Sequence, residues 1–287
     1  MRILVTGATG QVGRRLVPRL VQWAGPGAVR VLVRDEERGA PFAALGAEVV
    51  AGDLRDGDDR RKALDGADAV VHVAAAFRGV PDEEAFAVNR DATLALGRDA
   101  VAAGVGRFVF TSTNLVYGAG RGRPALETDE PKADGVLSGA YPESKIEAER
   151  GLLALHDEHG LDVRVARLAF VYGEGDDHLA ASLRWAAHWP AHQRLQMVHH
   201  ADVGQGLWRI LTAPGVAGHV YNLADDAPVS TYEIYELLGA EPPAPGAVPT
   251  AVADPWEGLA SNRRIRDELG FRPLYPSAWT ARDAGAL

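Results

Sequence analysis

The stretch "RILVTGATGQVGRRLV", residues 2–17, decides the fold of this chain. Its apolar start at residues 2–6 predicts a buried strand, and the amphipathic residues at its end predict a helix. Between them stand Gly7, Gly10 and Gly13, a GxxGxxG spacing rather than the more general GxGxxG. Residues without side chains at a strand-to-helix turn let a phosphate approach backbone N–H groups and the positive end of the helix. The stretch therefore predicts the start of a dinucleotide-binding fold; a glycine-rich turn that binds nothing is the alternative.

Short apolar runs continue to alternate with longer helical stretches over the first 173 residues. We predict strands at residues 2–6, 29–33, 47–51, 69–74, 107–111 and 162–168, and helices from residue 11, near residue 60, from residue 82 and from residue 141. This alternation is typical of a parallel sheet with crossover helices. The predicted fold class is α/β, a doubly wound parallel sheet of the Rossmann type.

The alternation weakens after residue 173. Residues 174–194 show no strand periodicity, and residues 239–255 are rich in proline. We therefore predict a Rossmann domain that binds NAD(P), formed by residues 1–173 plus about 195–226. The remaining residues, 174–194 plus 227–287, are predicted to form a small C-terminal substrate-binding lid.

Composition restricts the class of partner. The 287 residues carry a net charge of −9 and scattered basic residues, so the basic footprint of a nucleic-acid-binding protein is missing. The absence of cysteine excludes disulfides and thiolate nucleophiles. No apolar run reaches the roughly 18–20 residues of a membrane span, and the apolar start is too short for a signal peptide. We expect a small-molecule substrate, no nucleic acid, no membrane and a cytoplasmic location.

The residue after the second strand indicates which dinucleotide binds. An acid there accepts hydrogen bonds from the ribose 2′-hydroxyl of NAD, whereas an arginine binds the 2′-phosphate of NADP. Arg34 holds this position in "VRVLVRDEER", which favours NADP(H). Asp35 follows directly, so a shift of one residue in the strand would favour NAD(H). NADP(H) is therefore the predicted cofactor, with NAD(H) as the alternative.

Two further strand ends offer contacts to the cofactor. Asp53 in "AGDLRD" follows the third strand and could meet the adenine edge; capping a helix N-terminus is an equally ordinary task for it. Ala74 and Ala75 follow the fourth strand, where small residues would let the cofactor lie close to the sheet or would serve helix packing.

The segment "YPESK" places Tyr141 four residues before Lys145, in a chain where only three of the 30 lysine and arginine residues are lysine. One helical turn puts both side chains on a common face. An ammonium close to a phenol favours the phenolate and lowers the tyrosine pKa from its ordinary value near 10. The spacing therefore indicates a catalytic pair. The alternative is that Pro142 begins a helix with both residues on its surface.

His199, His200 and Asp202 resemble a metal site only in composition. Adjacent histidines point in different directions on a helix or a strand, so entry into a helix is the preferred interpretation. We predict no metal.

Seven motifs in this order carry a family resemblance: "TGATGQVG", "GDLRD", "VVHVAAA", "AVNRDAT", "TSTNLVYG", "YPESK" and "RLAFVYGEGDD". The chain resembles the extended short-chain dehydrogenase/reductases, the NAD-dependent epimerase/dehydratase group. The resemblance is close over about residues 1–175 and weaker through "HHADVGQGLWRIL", "YNLADDAPVS" and "LGFRP".

The resemblance implies roles for individual residues. Tyr141 would be the catalytic acid/base, Lys145 would bind the nicotinamide ribose and lower the tyrosine pKa, and Thr113 would hold the substrate oxygen. Hydride would then pass between the nicotinamide and a carbonyl or carbinol carbon. Relatives often pair through the helices flanking the fifth strand, so a homodimer is one option, and the oligomeric state is left open. The other implied cofactor contacts are Gly7, Thr9, Gly10, Gln11, Val12, Gly13, Leu54, Asn89, Thr111 and Leu168.

Departures from the family pattern narrow the substrate. Asn114 and Leu115 follow Thr113 where the family's dehydratases have acids, so elimination of water by that route is not expected. Phe170 replaces an asparagine that meets the diphosphate of nucleotide sugars, and the lid arginine that binds the same diphosphate would fall near Leu195, one position from Arg194. A diphosphate without such partners is poorly held. The implied substrate-binding residues are therefore Thr113, Asn114 and Phe170.

These observations lead to one hypothesis and two alternatives. The hypothesis is an NAD(P)-dependent oxidoreductase that reduces a ketone or oxidises a secondary alcohol on a small substrate that is not a nucleotide sugar. The first alternative is a nucleotide-sugar 4-epimerase with tightly bound NAD. The second is a non-catalytic NAD(P)-sensing regulator, against which the intact tyrosine–lysine pair argues.

Overall fold

The computed structural model describes residues 1–77, 79–244, 246–249 and 251–287, and a parallel sheet forms its centre. The strands are β1 Ile3–Thr6, β2 Val29–Val33, β3 Glu48–Ala51, β4 Ala69–His72, β5 Arg107–Thr113, β6 Val163–Leu168, β7 Phe170–Tyr172, β8 Arg194–Leu195, β9 Met197–His199, β10 Val220–Leu223 and β11 Val229–Ser230. Seven of them form one sheet in the order β10-β6-β5-β4-β1-β2-β3, with every neighbouring pair parallel. The predicted Rossmann fold is confirmed.

Helices cover both faces of this sheet, as crossover connections between parallel strands require. Their bounds are α1 Gln11–Ala24, α2 Ala40–Ala44, α3 Gly57–Leu64, α4 Asp82–Phe86, α5 Thr93–Ala102, α6 Ala140–His159, α7 His178–Ala181, α8 Leu183–Ala186, α9 His200–Thr212, α10 Thr231–Leu237, α11 Arg263–Leu269 and α12 Ala278–Asp283. Among the described residues, no helix combines the length and the apolar character that a membrane crossing needs.

The strands divide their side chains between two cores. Ile3 and Val5 pack on the face covered by α1 and α9, whereas Leu4 packs on the opposite face with α3, α5 and α6. Every residue of β1, β2, β4, β6 and β10 is buried, so residues on both faces of these strands are shielded from solvent, whereas the edge strand β3 exposes Glu48 and Ala51.

Strand β4 ends at His72, two residues earlier than predicted. The register pairs Thr6 of β1 with His72, and Gly7 then turns out of the sheet with a φ of 74°. Because the chain on that side leaves the sheet, the residues after His72 continue as a loop.

The helical stretch predicted from residue 82 is interrupted. Between α4 and α5 the chain forms a π-helical segment, Ala87–Ala92. Such segments are rare and occur mostly at functional sites. This one contains Asn89, whose contacts are described below.

A third apolar cluster lies outside the two sheet cores. Its buried members come from both sides of the predicted lid boundary: Tyr172, Leu179, Met197, Val229, Ile234, Leu237, Ala278 and Ala281. By contrast, Ile265 and Phe271 pack in the sheet core beside α1 and α9. The chain after residue 227 thus contributes to more than one core, and the boundary of a separate substrate-binding lid stays a prediction.

Candidate active site

The turn between β1 and α1 has the geometry that a pyrophosphate requires. A Cβ on Gly7 would lie 2.5 Å from the Ala74 Cα atom, and a Cβ on Gly13 would lie 2.1 Å from the Gly7 carbonyl oxygen. Gly10 is the N-cap of α1 and provides no side-chain cap, and the first turn of the helix contains no acid. Nothing in that turn competes with an anion for the positive end of the helix. These residues fit a dinucleotide phosphate.

The end of β2 places Arg34 as the first residue beyond the sheet. Arg34 is exposed, whereas the Asp35 carboxylate accepts a hydrogen bond of 2.9 Å from the Glu37 backbone N–H. Asp53 forms an ion pair with Arg55 at 2.9 Å. This hydrogen bond from Arg55, and more weakly the charge of Arg34, lower the pKa of the Asp53 carboxyl. Arg34 and Asp53 therefore lie at the same edge of the sheet, while Asp35 is engaged in a local turn.

The loop after β4 is held by Asn89. This fully buried amide accepts a hydrogen bond from the Ala76 N–H at 2.8 Å and donates one to the Ala76 carbonyl oxygen at 2.9 Å. Asn89 also donates to the Ser144 hydroxyl at 3.2 Å. The π-helical segment therefore fixes the path of Ala74 and Ala75 relative to α6, which begins the second half of the site.

Tyr141 stands in the first turn of α6, which begins one residue before it, and Lys145 follows one turn later. Lys145 is 1% exposed. Its ammonium donates a hydrogen bond of 2.9 Å to the Thr111 carbonyl oxygen and lies 4.6 Å from the centre of the Phe110 ring. Burial lowers the pKa of Lys145 to about 7, an effect that the buried Glu149 carboxylate partly opposes. The helix thus holds a readily titrated amine one turn away from the tyrosine.

His72 is a buried polar group of the site that sequence reasoning missed. Its Nδ1 lies 2.6 Å from the Thr6 hydroxyl, and its Nε2 lies 2.7 Å from the Thr93 hydroxyl. Burial, and secondarily the charge of Lys145, lower the pKa of His72 to about 3, so the ring is neutral near pH 7. Its position within the apolar run "AVVHVA" was the only signal in the sequence.

Thr113 is the last residue of β5 and is buried. Its hydroxyl accepts a hydrogen bond of 3.3 Å from the Leu115 N–H, and its Cα partner in the sheet is the buried Leu168. The Asn114 side chain donates to the Gly258 carbonyl oxygen. That amide therefore fastens a later segment of the chain to the end of β5.

Five aromatic rings from separate segments, Tyr141 among them, form one connected group, and we call this group the aromatic surface. It comprises Phe77, Tyr141, Phe170, His178 and Trp185. Phe77 and Tyr141 have ring centres 4.4 Å apart, and Phe170 stacks on His178 at 4.0 Å with an interplanar angle of 18°. Phe77 and Trp185 meet the His178 ring edge-on at 6.1 and 6.3 Å. The predicted substrate residue Phe170 thus belongs to one continuous group with the predicted catalytic tyrosine.

The other predicted cofactor residues lie around the first helix and the sheet edge. Gln11 accepts a hydrogen bond from Arg15 at 2.9 Å, and Val12 packs on the core beneath α1. Leu54 packs against the core on the opposite face, and Thr111 donates to the His72 carbonyl oxygen at 3.0 Å. Thr9 is half-buried in the glycine-rich turn.

A second connection joins α1 to the segment after β7. Arg15 donates to the Glu174 carbonyl oxygen at 2.7 and 3.1 Å, and Arg19 pairs with the Glu174 carboxylate. Glu174 has a φ of 56°, the one positive value recorded for a non-glycine residue in the described chain. Asp176 lies 3.9 Å from Arg15 and 2.8 Å from His200 Nε2. The helix that begins at the phosphate turn is therefore bonded to the start of α7.

The prediction that His199 and His200 enter a helix is confirmed. His199 caps α9 by accepting a hydrogen bond of 3.1 Å from the Ala201 N–H. The Asp202 carboxylate accepts hydrogen bonds from the backbone N–H groups of Leu274 and Tyr275. Within the described ranges, no three histidine or acidic side chains are placed to hold a metal ion.

The model of the NAD dependent epimerase/dehydratase family matches residues 3–224. Together with the doubly wound sheet and the glycine turn, this match defines the class: the chain belongs to the NAD dependent epimerase/dehydratase family. It is an enzyme of the short-chain dehydrogenase/reductase type, as its relatives are.

Two curated relatives and one solved structure show the range of this family. A 4-hydroxy-2-methyl-3-oxo-4-farnesyl-3,4-dihydroquinoline-1-oxide ketoreductase from Stigmatella aurantiaca is 32% identical over 83% of this chain and 72% of its own length. A dTDP-glucose 4,6-dehydratase from Streptomyces niveus is 29% identical over 95% of this chain and 88% of its own length. The structure of a dTDP-glucose 4,6-dehydratase from Streptomyces venezuelae with NAD bound aligns with a TM-score of 0.77 at 26% identity, covering 99% of this chain and 97% of that one.

Proposed function

We propose that this enzyme reduces a ketone, or oxidises the corresponding secondary alcohol, on a small substrate that is not a nucleotide sugar. The observation that carries the proposal is the arrangement at the start of α6. There, Tyr141 stands one helical turn from Lys145, and the ammonium of this buried lysine is held by the Thr111 carbonyl oxygen at 2.9 Å. A tyrosine so placed suits proton transfer to or from a carbonyl oxygen.

Each residue has a distinct task in this mechanism. A bound nicotinamide dinucleotide supplies the chemistry of hydride transfer. Tyr141 donates its hydroxyl proton to the oxygen of the reacting ketone, or accepts the proton of the alcohol in the reverse direction. The Lys145 charge stabilises the phenolate that forms, and Thr113 positions the substrate oxygen.

Two described positions at the substrate end of the site differ from what a diphosphate needs. Phe170 faces His178 rather than presenting an amide. Arg194 carries the guanidinium nearest to the expected diphosphate position. This group donates to the Pro255 carbonyl oxygen at 3.1 Å and stacks over the Trp256 ring, so it is already engaged. The ketoreductase relative from Stigmatella aurantiaca supports a ketone as the reacting group.

We propose NADP(H) as the preferred cofactor because Arg34 follows β2 directly while Asp35 is engaged with the Glu37 N–H. Arg34→Ser should weaken NADPH binding by about tenfold or more and leave NADH binding nearly unchanged, since a charge-assisted hydrogen bond is worth about 1.5–3 kcal/mol. The exposed Arg38 lies on the following turn, so Arg38→Ser is the matched control. Equal affinity of the wild type for NADPH and NADH would remove the preference.

A ketone and alcohol screen with the preferred cofactor tests the reaction itself. Tyr141→Phe should lower kcat by about 10²- to 10⁴-fold, the range of general acid–base catalysis, while cofactor affinity stays close to that of the wild type. Tyr232→Phe, at an exposed tyrosine bonded to the Pro243 carbonyl oxygen, controls for loss of a phenol hydroxyl. Equal turnover by wild type and Tyr141→Phe would refute the mechanism.

The nucleotide-sugar 4-epimerase is the second candidate, and the likeness to dTDP-glucose dehydratases over nearly the whole chain favours it. The two residues that follow Thr113 are not acids. Leu115 is apolar, and the Asn114 amide donates to the Gly258 carbonyl oxygen, so neither can act as the acid or base of a dehydration. NAD retained through purification, with epimerised nucleotide sugar and no net NADPH consumption, would select the epimerase.

A further inference from the structure

We propose that the ketone is conjugated to a planar aromatic ring system, and that this ring binds on the aromatic surface formed by Phe77, Tyr141, Phe170, His178 and Trp185. The proposal rests on the ketone chemistry proposed above and names the class of substrate for that same site. Tyr141 is itself a member of the surface, with its ring centre 4.4 Å from that of Phe77. A ring bound there lies beside the hydroxyl that must meet the carbonyl oxygen.

The orientation of His178 is fixed by bonds outside the surface. Its Nδ1 lies 3.1 Å from the Val171 carbonyl oxygen, and its backbone N–H donates to Asp176 at 3.0 Å. Asp176 in turn is held by His200 at 2.8 Å. The backbone bond fixes the position of His178, and rotation of its ring would break the Nδ1 bond, so the stack of His178 on Phe170 is preorganised.

The other side of the surface is fixed in the same way. Phe77 follows Ala76, whose backbone N–H and carbonyl oxygen are both bonded to the Asn89 amide. Yet Phe77 is 38% exposed, a large apolar ring held at the entrance to the tyrosine. The buried Asn89 amide and its π-helical segment thus fix the backbone beside Phe77, whose aromatic ring is partly exposed.

Aromatic rings select one another by geometry as well as by apolar area. Offset-stacked and edge-to-face pairs gain about two- to tenfold in binding constant beyond their buried area, a gain that saturated rings lack. Both arrangements occur within the surface itself, since Phe170 stacks on His178 while Phe77 and Trp185 contact the imidazole at steep angles. A substrate ring bound against this group would extend it in the same two arrangements. An aryl ketone therefore matches the surface better than a saturated ketone of equal size.

The test compares two ketones with one carbon skeleton, 2-acetylnaphthalene and 2-acetyldecahydronaphthalene, using the NADPH-loaded enzyme. We expect kcat/KM to favour the naphthyl ketone about tenfold or more. Phe170→Leu and His178→Leu should each reduce that ratio to within about twofold of unity. Trp23 is an exposed ring near the end of α1 that contacts Trp208, so Trp23→Leu is the control and should keep the wild-type ratio.

A binding titration separates this proposal from the proposed reaction. Tyr141→Phe with NADPH is titrated calorimetrically with both ketones, so affinity is measured without turnover. Tighter binding of the naphthyl ketone supports the aromatic substrate even when neither ketone is reduced, and in that case only the proposed reaction fails. Three outcomes would overturn the proposal of an aromatic substrate. They are equal kcat/KM for the two ketones in the wild type, an unchanged ratio in both surface variants, or equal affinities in the titration.

Discussion

Lys145 joins two properties that rarely occur together, a charge-bearing side chain and almost complete burial. Its ammonium has one hydrogen bond, to the Thr111 carbonyl oxygen, and its pKa is lowered from 10.5 to about 7 by burial. The unfolded chain therefore binds one more proton than the folded chain between pH 7 and 10.5, and this group makes the free energy of unfolding rise with pH across that window. Below pH 7 both states carry the proton, and the cost of burial is present in full.

Lys145→Met should therefore stabilise the cofactor-free protein near and below neutral pH, by on the order of a few kcal/mol, and this advantage should fade towards pH 10. Urea unfolding of both proteins at pH 6, 8 and 10 measures the difference. Lys132 is 42% exposed, so Lys132→Met is the matched control and should leave the pH dependence of the wild type intact. A constant difference between wild type and Lys145→Met at all three values of pH would contradict the argument.

Single glycines set the limits of the phosphate turn. A Cβ on Gly13 would meet the Gly7 carbonyl oxygen at 2.1 Å and the Ala8 Cα atom at 2.7 Å, both of them backbone. Gly13→Ala should destabilise the protein by about 2 kcal/mol or more, because backbone has to move. Gly10→Ala meets its nearest atom only at 3.3 Å and should cost less than about 1 kcal/mol. Denaturant unfolding without cofactor gives both values, and equal losses would contradict the prediction.

At the scale of elements, the π-helical segment Ala87–Ala92 fastens the loop after β4 to α6. Asn89→Leu removes two hydrogen bonds to the Ala76 backbone and leaves those groups unsatisfied, so we expect a loss of about 2–4 kcal/mol in stability. Ser144→Ala removes the 3.2 Å contact with Asn89 and the 2.9 Å hydrogen bond from the Ser144 hydroxyl to the Tyr141 carbonyl oxygen, and it should cost about 1–2 kcal/mol. Thermal unfolding of the two variants tests this order, which would be wrong if Ser144→Ala were the more damaging change.

The elements differ in how far the sequence predicts them. Six of the seven sheet strands, β1 to β6, follow from apolar runs that alternate with helical stretches, because buried parallel strands require apolar side chains on both faces. The two-residue strands β8 and β11 are too short for any periodicity to show. Helix α10 has a local sequence signal, the capping box of Ser230 and Glu233. The π-helical segment follows from a tertiary bond of Asn89, which no local pattern predicts.

The site shows the same division. Gly7, Gly13, Tyr141 and Lys145 were predictable because a phosphate turn and a one-turn spacing are local requirements. His72 and His178 were not predictable, because their partners come from distant segments. His72 contacts Thr93, and His178 contacts Phe170 and Phe77. Pairing of two chains through α6 stays a prediction that sedimentation velocity can decide.

At the scale of the whole molecule, Arg15 connects the cofactor half to the segment that carries α7 and α8. Arg15→Gln removes two hydrogen bonds to the Glu174 carbonyl oxygen. We expect faster amide hydrogen exchange in α7 and α8, because local opening then breaks fewer bonds. The exposed neighbour change Arg14→Gln should leave that exchange as in the wild type. Unchanged protection in Arg15→Gln would show that the connection carries no stability.

The same connection has a kinetic consequence. Arg15, which donates to the Glu174 carbonyl oxygen, lies in the second turn of α1, the helix whose amino end we expect to bind the pyrophosphate. A dinucleotide that orders this helix would therefore also order the segment that leads to His178. We expect an ordered kinetic mechanism, in which the dinucleotide binds first and dissociates last. The ketone then binds only to the enzyme–dinucleotide complex. In product-inhibition plots, the oxidised dinucleotide would then be a competitive inhibitor against the reduced dinucleotide. The alcohol would not be competitive against the reduced dinucleotide.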